Sequence, residues 1–126
     1  MSDNRELLNE QHLEMMSDLT TESGGNLAEE LLGHVTGEGR ETLGSLISAI
    51  ENQDIDTARR LAHRMKGMSS NLGMKKLQEH FRETEDRAKN GTNPPLSGEE
   101  IRELQALFVT SIEAYRSYIA SDTDDD

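Results

Sequence analysis

Apolar residues recur at steps of three and four along almost the whole chain, a spacing that buries one face only if the backbone is helical. The steps run through Leu27, Leu31, Val35, Leu43, Leu46, Ile47 and Ile50, then through Ile55, Ala58, Ala62, Met65 and Leu72 with Leu61 and Met68 beside them. They continue through Met74, Leu77, Phe81 and Ala88, and finally through Ile101, Leu104, Phe108, Ile112, Tyr115 and Ile119. With 33% hydrophobic and 3% aromatic residues in 126, the chain can fill one lean aliphatic core, which excludes an aromatic-rich sheet sandwich and a second domain. The expectation is an all-α fold, an antiparallel four-helix bundle with a short additional N-terminal helix.

Start and stop signals divide the pattern. A helix of one or two turns around Leu13, Met16 and Leu19 ends in TTESGG. One long helix follows, weakened at Gly37 and Gly39, each of which costs ~1 kcal/mol relative to alanine, so that a break near residues 37–39 is the competing expectation. Asp54 or Asp56 offers an N-cap oxygen to the next helix, and Gly73 closes it. The following helix stops at Asn90-Gly91, before a linker in which Pro94-Pro95 excludes helix. Ser97 and Glu100 match the reciprocal capping box that opens the last helix. The chain reads as a single domain over residues 1–126, with its core at about 10–120 and an acidic tail at 121–126 expected to be disordered.

The formal net charge of −12 argues against nucleic acid or an anionic membrane as partner, since both demand a positive face. The distribution is uneven: residues 1–56 carry −11, residues 57–90 carry +5 and residues 91–126 carry −6. No cysteine is present, which removes disulfides, thiol nucleophiles and cysteine-held metals. The N-terminus lacks the basic-then-apolar order of a signal peptide, and no 18-residue apolar run exists, so the expected location is the cytoplasm. A metal-binding bundle would use Glu-x-x-His, yet the residues three before His12, His34, His63 and His80 are Asn9, Leu31, Arg60 and Leu77. No metal site is expected, and a non-catalytic helical adaptor is the remaining alternative.

The basic stretch carries the candidate chemistry. At 100° per residue, His63 projects roughly 145° away from the Ala62 and Met65 stripe, toward solvent. Arg59, Lys66, Gly67 and Ser70 share its side of the helix at i−4, i+3, i+4 and i+7. A neutral imidazole keeps a lone pair that can attack phosphorus or a carbonyl, Lys66 can stabilise arriving negative charge, Gly67 removes bulk where another molecule would approach, and Ser70 adds a hydroxyl.

The run Ala62-His63-Arg64-Met65-Lys66-Gly67-Met68-Ser69-Ser70-Asn71-Leu72-Gly73, followed by Leu77 and Phe81, fits H-x-x-K-G-x-[SA]-x-x-x-G-x-x-x-L. In this it resembles the histidine phosphotransfer domains of phosphorelays. The resemblance implies a helical bundle whose histidine takes a phosphoryl group from a receiver-domain aspartate and passes it to another. His63 would be the phosphorylated residue, Lys66 the stabilising cation and Gly67 the clearance residue. Met68 and Thr84 depart from the residues most common in that family. No nucleotide-binding element is present, so no autonomous kinase activity and no cofactor of its own are expected; Mg²⁺ belongs to the partner receiver domain. The partners would be receiver domains of a hybrid sensor kinase or a response regulator, docking on the face around His63 through Arg59, Arg60, Arg64 and the first-helix residues Leu13 and Met16. Met1 and the acidic end suggest a freestanding protein, and a monomer is expected.

Overall fold

The helices expected from the apolar spacing are all present in the computed structural model, which describes residues 7–17 and 27–123. The elements are α1 (Glu10–Ser17), α2 (Leu27–His34), a π-helical turn (Val35–Gly39), α3 (Arg40–Glu51), α4 (Ile55–Asn71), α5 (Lys75–Lys89) and α6 (Gly98–Thr123), with no strand among the described residues. α2, the π turn and α3 form one rod. That rod, α4, α5 and α6 pack as a ring in which each touches the next, with α2 meeting α6 and the α4–α5 pair the most extensive. Short connections make successive rods antiparallel, the four-helix arrangement expected.

The long second helix is neither uniformly α-helical nor broken at its glycines. His34, Gly39 and Arg40 keep helical dihedrals (φ near −63°), and the backbone widens into a π turn between them. The reason lies in the burial pattern. Val35, Gly39 and Leu43 are all buried, two consecutive steps of four. At 100° per residue this would leave Leu43 about 80° out of line with Val35, and one widened turn takes up most of that angle. Gly39 also allows close approach to α4: a Cβ there would lie 2.9 Å from both the Met68 Sδ and the Val35 Cγ2.

Three turns close alike. After α3, α4 and α5 a residue enters the left-handed region (Gln53 at φ 61°, Gly73 at 69°, Gly91 at 82°), and the amide after it reaches back to the last helical turn. The two glycines were legible as stops; Gln53 pays a steric cost that its neighbours impose. Of the two candidate caps for α4, Asp54 serves: its Oδ1 accepts from the Thr57 amide at 3.3 Å. The capping box of α6 is complete, with Ser97 N donating to Glu100 Oε1 at 3.0 Å and Glu100 N donating to Ser97 Oγ at 3.1 Å.

Two expectations need correction. The tail expected to be disordered at 121–126 is helical in its first three residues, since the last helix continues through Thr123; residues 124–126 lie outside the described residues. Leu13, assigned above to the docking surface, is fully buried. α1 is fastened onto the α4–α5 turn by Asn9 N donating to Gly73 O at 2.6 Å and by a 2.9 Å contact between His12 Nε2 and Asn71 O. That clamp turns Leu13 inward, into the same core as Leu7 and Leu8. The side chain of Met16, together with Leu19 and TTESGG, lies outside the described residues.

Candidate functional site

α4 buries Ala58, Ala62, Met65 and Ser69 and therefore presents the opposite face to solvent. His63 lies on that face with 65% of its side chain exposed. Its ring is nonetheless held. The Nδ1 atom is 2.8 Å from Oε2 of Glu85, a residue of α5 whose side chain is only 3% exposed. Lys66 Nζ lies 2.9 Å from the other oxygen, Oε1, and Lys89 Nζ lies 3.4 Å from Oε2. One buried carboxylate thus ties together the imidazole and two ammonium groups.

The ionisation of Glu85 decides the tautomer of His63. Burial pushes its carboxyl up, but the hydrogen bonds from Lys66 and His63, reinforced by their charge, outweigh this and bring its pKa down from 4.5 to about 2. At neutral pH it is a carboxylate, which can only accept. The Nδ1 atom therefore carries the hydrogen and donates it to Glu85. In the neutral ring the lone pair is then left on Nε2, the nitrogen remote from Glu85.

Beside His63 runs a groove of about 340 Å³ between α2 and α4, lined by Leu31, His34, Arg64, Gly67 and Met68 among others. At Gly67 a Cβ would meet nothing within 4 Å. The glycine is not required by packing inside the protein, and what its missing side chain leaves open is the groove itself.

The structure separates the remaining candidates. Arg64 lines the groove with His63. Arg59 and Arg60, one turn earlier, both pair with Asp56, at 3.2 and 3.5 Å, so their charge is partly offset. Ser70 is exposed but does not line the groove. Lys66 is beside the histidine as expected, and its ammonium is engaged by Glu85. Three neighbours of His63 escaped the reading of the sequence as site residues: Glu85, Lys89 and His34. Glu85 had one signal, a carboxylate at the margin of the stripe formed by Leu77, Phe81, Thr84 and Ala88. Among the described residues no group of three or more histidines or carboxylates is placed to hold a metal ion.

A family model described as the Hpt domain matches residues 30–115, from α2 to the last buried turn of α6. The chain belongs to the Hpt domain family. Direct comparison with curated proteins gives no match. Hpt domains are helical modules of histidine phosphotransfer that work with receiver domains in phosphorelays, as carriers of the group and not as kinases. The matched span of this Hpt domain contains the groove, His63 and all three partners of Glu85. It leaves out α1, the element that clamps the α4–α5 turn. Among the described residues no helix is long and apolar enough to cross a membrane.

Proposed function

We propose that His63 is the phosphoacceptor of this Hpt domain, taking a phosphoryl group from the aspartate of one receiver domain and passing it to the aspartate of another. The observation that carries this reading is the Nδ1 to Glu85 contact, because it leaves Nε2 as an outward nucleophile. As the receiver's acyl phosphate approaches, the Nε2 lone pair forms the P–N bond and the P–O bond breaks, its electron pair staying on the aspartate oxygen. The Nδ1 hydrogen remains on the ring, which becomes cationic against Glu85. Transfer to the second receiver reverses these steps. The transition state is loose, so positioning and charge dominate and little further machinery is needed on this side.

In this reading Lys66, held by Glu85 beside the ring, stabilises the phosphoryl oxygens, Gly67 leaves room for the receiver, and Arg64 and the groove contact its surface, with Arg59 and Arg60 as a basic rim. Ser70, outside the groove, is at most a donor at its margin. Mg²⁺ and the acidic pocket belong to the receiver, and this chain needs no cofactor of its own. The partners are receiver domains of a hybrid kinase and of a response regulator, met by a cytoplasmic monomer; the net charge of −12 favours such a monomer over self-association.

Incubation with a phosphorylated receiver domain and Mg²⁺ tests the reading. It should place an acid-labile, base-stable label on the chain, and His63→Gln should abolish the label while keeping the helical circular dichroism. A folded His63→Gln variant that is still labelled would show that another residue accepts the group.

A further inference from the structure

Glu85 brings together more positive charge than it needs. Lys66, with 28% of its side chain exposed, covers Oε1 at 2.9 Å. Lys89, one turn further along α5 and 53% exposed, lies at a looser 3.4 Å from Oε2, the same oxygen that accepts from His63. The nearby arginines do not duplicate it: Arg59 and Arg60 share Asp56, and Arg64 projects into the groove. With His63 neutral, one carboxylate and two ammonium groups leave the cluster at +1.

We infer that Lys89 is a charge-balancing residue of the phosphorylated state, an inference that rests on His63 being the phosphoacceptor. Forming the Nε2–P bond with the Nδ1 hydrogen retained gives a cationic ring bearing a dianionic phosphoryl group, a net −1. The cluster then sums to zero. Without Lys89 it would pass from zero to −1, placing unbalanced negative charge beside a carboxylate with 3% exposure. Lys89 therefore favours the phosphorylated form over the free one. It does so through the field at His63, and its loose contact and flexible stem also let it turn from Glu85 toward the phosphoryl oxygens. Coulomb's law with water-like screening, taken for unit charges at a generic separation of about 7 Å, corresponds to a shift of such an equilibrium by about threefold.

The test uses the full chain with phosphoramidate as donor, which removes receiver docking from the measurement. The level of phosphohistidine on His63 is compared for the native protein, Lys89→Gln and Lys89→Arg at low ionic strength and at 1 M salt, where the Debye length is about 3 Å. Lys89→Gln should lower the level about threefold at low salt with the melting temperature unchanged, Lys89→Arg should restore it, and 1 M salt should erase the difference. An unchanged level in Lys89→Gln, a deficit that persists at 1 M salt, or no recovery in Lys89→Arg would overturn the assignment of Lys89 alone. Native protein that takes no label on His63 would overturn the phosphoacceptor reading and this inference with it.

Discussion

Replacing Glu85 by glutamine keeps the shape of the side chain and removes its charge, which makes it the sharpest probe of how His63 is prepared. The carboxylate accepts from His63 at 2.8 Å and from Lys66 at 2.9 Å through different oxygens. An amide has one acceptor oxygen and one donor nitrogen, so it can serve one of these neighbours and must oppose the other. With its oxygen toward His63, its NH₂ faces the Lys66 ammonium. With its oxygen toward Lys66, its NH₂ faces Nδ1 and draws the lone pair there, leaving the hydrogen on Nε2, where it blocks attack. A charge-assisted hydrogen bond contributes ~1.5–3 kcal/mol and a neutral one ~0.5–1.5, so the ring loses about 1.4 kcal/mol of support for the form that reacts. That corresponds to about tenfold slower phosphoryl uptake. A donor facing a donor costs ~1–3 kcal/mol of stability, and 2 kcal/mol lowers Tm by roughly 8 °C in a domain of this size. The assays are the rate of labelling by phosphoramidate, thermal unfolding, and ¹⁵N NMR of the ring. The native protein should show a protonated Nδ1 and an unprotonated Nε2, and the variant a mixed or reversed pattern. Native rates together with an unchanged tautomer in Glu85→Gln would refute the claim that the carboxylate sets the nucleophile.

The same carboxylate predicts an acid limit. Its pKa is depressed in the folded state, so its contribution is complete above the ordinary carboxylate value and disappears as pH falls from 4.5 toward about 2. A depression of this size corresponds to about 3 kcal/mol. Urea unfolding should therefore show the native protein losing about 3 kcal/mol more than Glu85→Gln between pH 5 and pH 2, and parallel losses would contradict it. Gly67, which lines the groove, and Gly39, which packs against Met68 and Val35, should respond oppositely to alanine. Gly67→Ala has open space around its new Cβ and should raise stability by ~0.5–1 kcal/mol, whereas Gly67→Phe should slow transfer from a receiver domain at least tenfold with the fold intact. Gly39→Ala places a Cβ 2.9 Å from the stiff Val35 side chain and should lower stability by about 1 kcal/mol despite alanine's better helix propensity. A stabilised Gly39→Ala would show that the α2–α4 contact yields easily.

The helices and most of their ends were legible because they rest on local chemistry. The three- and four-residue spacing, the Asp54 cap, the Ser97–Glu100 box and the Gly73 stop each involve residues within one or two turns of one another. The outward direction of His63 was legible for the same reason, since one helix's apolar stripe dictates the opposite face. Leu13 was misread because a two-turn helix has too few residues to define its buried side, and only its contacts with the Gly73 turn decide which way it faces. The π turn was visible in the sequence only as two inconvenient glycines.

The chain's own order of residues determined that this would be a helical bundle displaying a histidine beside a lysine and a glycine. Which nitrogen of that histidine is free was decided by packing α5 against α4, which sets Glu85, 22 residues further on, within 2.8 Å of the ring. Helix geometry relates residues three and four apart, and it is silent about two side chains that meet only because separate helices share a core.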